Sequence, residues 1–185
     1  MKHRLLVGGI AVGVCILTSA AAYQYAQPAQ VLSVLDGWHE IAWPFPRDAW
    51  PAGRAYRCPA ATCGDDIELY ARPKIGFCNC DTGVADDDEV DRVADLDLLS
   101  EKFVPLEPGK VVHVADMAGR ARNYDLRMRD GSHRLAVGIV ASRRCDLMVA
   151  VAVGKPAAAN VVRKALDFLG SNAIAGWMVA SMTGR

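Results

Sequence analysis

An uncharged apolar run from Leu5 to Ala22, preceded by Lys2 and Arg4, constrains this chain more than any other feature. It separates a membrane-directed segment from everything that follows. The next basic residue after the run is Arg47, too far along to compete, so the positive-inside rule places the remainder on the far side of a membrane. At about 1.5 Å per residue the run spans roughly 27 Å, enough for a hydrocarbon core. Tyr23 and Tyr25 then fall where interfacial aromatics belong. The rival reading is a cleaved signal, with Leu5 to Leu17 as its apolar core and Ala20-Ala21-Ala22 as the small-residue site before Tyr23. Either way the body of the chain is expected in the bacterial periplasm, tethered to the inner membrane or released after Ala22.

Three segments are expected: a membrane anchor or signal over 1–22, a Pro/Trp-rich linker over 23–56 and an exported α+β domain over 57–185. The whole chain holds 21 basic and 21 acidic residues; without Lys2 and Arg4 the balance is 19 against 21. Nothing in that balance points to nucleic acid, which demands a clustered basic face. One domain with a real core is the expectation for a body of this length.

The linker carries Pro28, Pro44, Pro46 and Pro51 among Trp38, Trp43, Phe45 and Trp50. Prolines at that density favour an extended path. Its aromatics either pack onto the domain or, at Trp43, Phe45 and Trp50, form a docking strip for an envelope protein partner; burial is the stronger general tendency for Trp.

Beyond Ile67 the pattern is regular. Ile67 to Arg72 and Lys74 to Cys80 read as two extended runs split by Pro73, an edge hairpin or one interrupted strand. Asp86-Asp87-Asp88-Glu89 ahead of Val90, Val93, Ala94 and Leu98 predicts a helix over Asp86 to Leu99, its acids complementing the helix dipole. Val111 to Ala115, Ala121 to Met128 and Leu135 to Ala141 follow as strands, with a two-residue turn at Asp130-Gly131. Leu147 to Val153, rich in valine, predicts a central strand covered on both faces. A helix begins near Pro156 and buries Val161, Val162, Ala165, Leu166, Phe168 and Leu169, and a second apolar helix over Asn172 to Met182 folds back on it.

Two strands, a helix, a four-stranded meander and terminal helices make a mostly antiparallel sheet with packed helices. Over roughly residues 65–170 this order resembles the α/β/α sandwich of the Mog1/PsbP-like fold. That resemblance implies binding or assembly and carries over no catalytic residue. The words Trp43-Pro44-Phe45-Pro46-Arg47-Asp48-Ala49-Trp50-Pro51 and Gly76-Phe77-Cys78-Asn79-Cys80, then Thr82-Gly83-Val84-Ala85-Asp86-Asp87-Asp88, resemble a family of bacterial exported proteins that has no assigned activity. This second resemblance supports export and leaves the function open.

Among candidate chemical groups the cysteines lead. Cys58 and Cys63 are spaced Cx4C, Cys78 and Cys80 are CxC, and Cys145 stands alone. Disulfides are the first reading in an oxidising compartment. One arrangement joins Cys58 to Cys63 and Cys145 to a member of the CxC pair; another joins the Cx4C loop to the CxC segment. The competing reading makes Cys58, Cys63, Cys78 and Cys80 thiolate ligands for zinc or Cu(I), or the core of a redox accessory protein. Disulfides are preferred because exported thiols oxidise and neither zinc-type CxxC knuckles nor a helix-starting CxxC is present.

The acidic set Asp81, Asp86, Asp87, Asp88, Glu89, Asp91, Asp95 and Asp97 departs from calcium-loop spacing and reads as a solvated helix face. His39, His113 and His133 are isolated. The basic set Arg120, Arg122, Arg127, Arg129, Arg134, Arg143 and Arg144 reads as the outer face of a sheet, with anionic lipid or an acidic partner as the functional alternative. No nucleophile and base are identifiable, so the sequence points away from an enzyme. The expectation is a binding or assembly domain without a cofactor.

Overall fold

The computed structural model describes residues 37–76, 80–154 and 158–183. All of these belong to the compact unit Ser33–Arg185. The expected anchor or signal over 5–22 lies outside the described residues, and among those described no helix is long and apolar enough to cross a membrane.

Eight strands form one antiparallel sheet: β1 (His39–Ile41), β2 (Arg54–Cys58), β3 (Ile67–Lys74), β4 (Phe103–Pro105), β5 (Lys110–Val114), β6 (Met117–Arg127), β7 (His133–Arg143) and β8 (Asp146–Gly154). The spatial order is β1-β2-β3-β8-β7-β6, and the far side of β6 is shared by β4 and β5. A short helix α1 (Ala60–Cys63) links β2 to β3, α2 (Asp87–Val93) and a 3-10 turn (Leu96–Leu98) precede β4, and α3 (Ala158–Leu169) and α4 (Asn172–Thr183) close the chain. The expected meander is β5 to β8.

Because successive strand residues point to opposite faces, each central strand serves two cores. On one face Met148, Ala150 and Ala152 of β8 and Val137, Ile139 and Ala141 of β7 lie in a core with Val161, Ala165, Phe168 and Leu169 of α3 and Ile174, Met178 and Met182 of α4. On the other, Leu147, Val149, Val151 and Val153 of β8 meet Val90, Val93, Ala94 and Leu96. Every residue of β8 is buried, as its continuous apolar run predicts for a strand flanked and covered on all sides. Three layers result, helices on sheet on helices.

Several sequence expectations change in detail. The stretch read as linker up to 56 supplies β1 and most of β2, and Trp38 is buried with its ring stacked on Phe168 at 4.6 Å. Proline density signals an extended path equally well for a linker and for an edge hairpin with a long loop, so composition alone does not separate them. Pro73 does not split two runs: β3 passes through it, paired to Met148 on β8, while β2 stops at the Arg54–Ala71 pair and leaves that flank of β3 without the neighbour a proline would obstruct. The Asp130-Gly131 turn is wider than two residues. Met128 N–H donates to Ser132 O at 2.9 Å, enclosing Arg129 to Gly131, and Gly131 takes φ +82°. Pro156 lies outside the described residues.

The predicted helix over Asp86 to Leu99 is two pieces. Asp86 caps α2 by accepting the Glu89 N–H at 2.9 Å, but the helix ends at Val93 and Asp95 adopts a left-handed φ of +58°. The apolar spacing continues through Leu96 and Leu98, which is why periodicity alone reads one helix. Helix α2 sits so near the sheet that a Cβ on Gly138 would lie 2.9 Å from Ala94 Cβ and 3.1 Å from the Tyr124 ring. Gly138→Ala is therefore expected to lower stability by about 1–3 kcal/mol, the range for overpacking, measured by urea or thermal unfolding; unchanged stability would disprove this close approach.

Candidate functional site

The loop between β1 and β2 is too long for a simple hairpin and folds as a strap over one end of the sheet. Beneath it, alternate residues Glu68, Tyr70, Arg72 and Lys74 of β3 present one face. Trp43, Phe45 and Tyr70 form an aromatic trio, with Phe45 and Tyr70 centroids 5.0 Å apart and Trp43 and Phe45 5.1 Å apart, both edge-on. Gly53 makes room for this: a Cβ there would meet the Trp43 ring at 2.3 Å. Further along, Asp48 accepts from Arg72 Nη1 at 2.6 Å and from the Trp50 N–H at 2.9 Å, while Lys74 Nζ lies 5.7 Å from the Trp50 ring centre. Trp43, Phe45 and Trp50 are each half-buried, so the expected partner strip is attached to the domain with part of its aromatic surface in solvent.

Under the strap lies a charged centre that the sequence reading missed. Asp95 takes a two-pronged bond from Arg72, Nε to Oδ2 at 2.6 Å and Nη2 to Oδ1 at 2.7 Å, and also pairs with Lys74 Nζ at 2.7 Å. Lys74 further donates to Val93 O at 2.9 Å. Two cations face two carboxylates, Asp95 buried and Asp48 more open. For Arg72, burial alone would lower the pKa, but bonds to Asp95 and Asp48 raise it above the ordinary guanidinium value. Burial likewise tends to raise Asp48, and the bonds from Arg72 and the Trp50 N–H outweigh it to hold the carboxyl below its usual range. The legible signal was the period-two polar row from Glu68 to Lys74; the Asp95 partner, 23 residues from Arg72, carried no local mark.

Two residues of the acidic set pair with two of the basic set across the α2 layer. Asp87 accepts from Arg120 Nη2 at 2.7 Å and from the Gly109 N–H at 2.9 Å, and Asp91 pairs with Arg122 at 2.8 Å and accepts from Tyr124 OH. Burial, then the bond to Asp91, pushes the Tyr124 phenol well above its ordinary range. Arg143 pairs with Asp116 at 3.0 Å, and Arg134 lies 3.9 Å from Glu68. His133 Nδ1 is 2.7 Å from Asp125. Arg120 and Arg122 therefore lie largely covered beneath α2, and not on the solvent face expected of them.

Among the described residues the cysteines form two disulfides. Cys58 bonds Cys63 across α1, with Cα atoms 6.0 Å apart, and Cys80 bonds Cys145, with Cα atoms 4.4 Å apart and 65 residues between them in sequence. The second ties the turn before α2 to the tip of the β7–β8 hairpin, whose Arg144 has φ +56°. Cys78 lies outside the described residues. With the sulfurs of Cys58, Cys63 and Cys80 already bonded, the disulfide reading is favoured over a metal-thiolate one. Among the described residues no cluster of three or more His, Cys, Asp or Glu is arranged to hold a metal ion.

No family model matches the chain, and no curated protein matches it. Its fold is similar to the solution structure of cyanobacterial PsbP (CyanoP) from Synechocystis sp. PCC 6803, at 15% identity and a TM-score of 0.41, covering 71% of this chain and 78% of that chain. The likeness is one of fold and bears on neither activity nor partner.

Two outcomes are expected of the charged centres. Asp95→Ala removes the two-pronged partner of Arg72 and the carboxylate paired with Lys74 and should cost about 3–5 kcal/mol in chemical unfolding, whereas Asp48→Ala, at the open end, should cost roughly 1 kcal/mol or less. Equal losses would refute this ranking. The bonds from the Gly109 N–H and then Arg120 hold the Asp87 carboxyl below its ordinary value of 3.8. A depressed carboxylate contributes stability above the unfolded value and loses it as pH falls through the lower folded one. Asp87→Asn should therefore flatten the fall in stability as pH drops below the ordinary value of 3.8, followed by unfolding at each pH.

Proposed function

We propose that this chain is a non-enzymatic accessory domain of the bacterial envelope, exported across the inner membrane and either tethered there by residues 5–22 or released after Ala22, which binds a protein partner or assists assembly. The observation that carries the reading is the strap: Trp43, Phe45 and Trp50 are held part-exposed on a rigid sheet by the Asp48–Arg72 pair and the Tyr70 ring. Aromatics ordered before binding lose little freedom on contact, which makes them effective interface anchors. The two disulfides fit an oxidising compartment and supply stiffness there. They also favour this reading over a zinc, Cu(I) or thiol-redox role for Cys58, Cys63, Cys78 and Cys80.

Crosslinking and affinity capture from membranes, comparing the parent with a Trp43→Ser, Phe45→Ser, Trp50→Ser variant of verified fold, should show loss of a specific partner. Capture of the same partner set by both proteins would exclude the strap as the binding surface. A reporter fused to the C-terminus should be active only when exported; activity confined to the cytosol would overturn the location.

A further inference from the structure

The exposed large hydrophobic side chains among the described residues are Val104 (61%), Leu106 (54%) and Val111 (68%), and all three fall on the sheet edge where β4 and β5 flank β6. This is the end of the sheet remote from β1 and the strap. Single exposed apolar residues need no explanation, but these three share one edge of the sheet. Among the described residues no strand pairs with the outer side of β5, so that side presents a row of backbone donors and acceptors.

Alongside this edge, between β5, β6 and helix α3, runs a cleft of about 560 Å³ whose apolar lining includes Val111, Val112, Val162 and Leu166. Its volume is in the range of real binding clefts. Asn123 of β6 also lines it. The Asn123 Nδ2 donates to the Glu107 carboxylate, which fixes the amide orientation because a carboxylate can only accept. That leaves Asn123 Oδ1 buried and without a partner among the described residues. A buried acceptor left in this state costs free energy that a donor from a ligand would recover.

These features select one kind of occupant. An open strand edge, otherwise met by water, offers a regular backbone ladder that another extended segment can match. The charges at the cleft rim lie in opposed pairs, Lys110 with Glu107 and Arg163 with Asp167, each at 3.9 Å, so the rim favours a segment without net charge. We propose that the β4–β5 edge is a strand-addition site for an extended, uncharged segment of a partner protein that alternates apolar and hydroxyl- or amide-bearing residues. Its backbone pairs with β5, its apolar side chains enter the cleft against Val112, Val162 and Leu166, and a polar side chain donates to Asn123 Oδ1. The surface is separate from the strap, so it stands or falls independently of the partner reading given to Trp43, Phe45 and Trp50.

The test is amide hydrogen exchange on the full chain with a panel of capped hexapeptides alternating Val with Thr, Ser or Asn. The expected result is new protection of residues 110–114 when at least one peptide binds, and its loss in Val111→Lys, which charges the edge, and in Ala159→Trp, which fills the cleft. Both positions are exposed, so these variants should keep the parent melting temperature. Failure of the whole panel to protect β5, protection confined to another region, or unaltered binding by both variants would overturn the proposal. Protection, without peptide, of the β5 amides that do not bond β6 would also overturn it: if it rises with protein concentration, the occupant is a second copy, and if it does not, the occupant is another segment of this chain.

Discussion

Asp95 joins two separate parts of the sheet's covered face through one carboxylate. Its carboxylate receives both prongs of the Arg72 guanidinium and the Lys74 ammonium, joining the segment after α2 to the centre of β3. The same residue turns the chain into a left-handed conformation, a geometry aspartate tolerates better than most side chains. The end of helix α2, the entry to the 3-10 turn and the neutralisation of two buried cations thus coincide at one position. Arg72 then has a third donor left for Asp48, and through it the strap is attached to the sheet. Without Asp95 the two cations would keep Asp48 and the Val93 carbonyl but lose the carboxylate they share, and that loss leaves their desolvation only partly offset.

The sheet works because its strands serve two cores at once. Alternation along β7 and β8 sends small and branched apolar side chains to α3 and α4 on one face and to α2 on the other. The two faces differ in character at their margins. Around Phe168 the first is closed by the stacked Trp38 ring and the edge-on Tyr56 ring. The second grades from an apolar centre into ion pairs, Asp87 and Asp91 with Arg120 and Arg122 at one side, Asp95 and Asp48 with Arg72 and Lys74 at the other. Helix α2 is short, and these pairs give it the fixed seat that its few apolar residues would not provide alone. Disulfides add covalent links at two further places, the α1 loop and the hairpin tip at Cys145.

The two surfaces proposed for partners are chemically unlike. The strap offers part-exposed aromatics and prolines already ordered by contacts below them. The β5 edge offers unpaired backbone beside an apolar cleft. An accessory domain with both could hold a partner at one end of its sheet while its other end engages a strand, and the neutral overall balance of the chain suits contact with proteins more than with polyanions.

Much of the architecture follows from local pattern. Valine-rich continuity marked β8 as central, period-two alternation marked the meander, and the acid-led apolar spacing after Asp86 marked α2, because these signals arise from burial on one or two faces and need only neighbours in sequence. The pairing of cysteines, the merging of the Trp/Pro stretch into the sheet, the break at Asp95 and the joining of Asp48, Arg72, Lys74 and Asp95 were decided only in three dimensions. Each depends on residues tens of positions apart arriving at one place: 65 for Cys80 and Cys145, 24 for Asp48 and Arg72. Residue spacing records which face a side chain takes, whereas a partner across the sheet is chosen by strand order and register, and those exist only once the chain has folded.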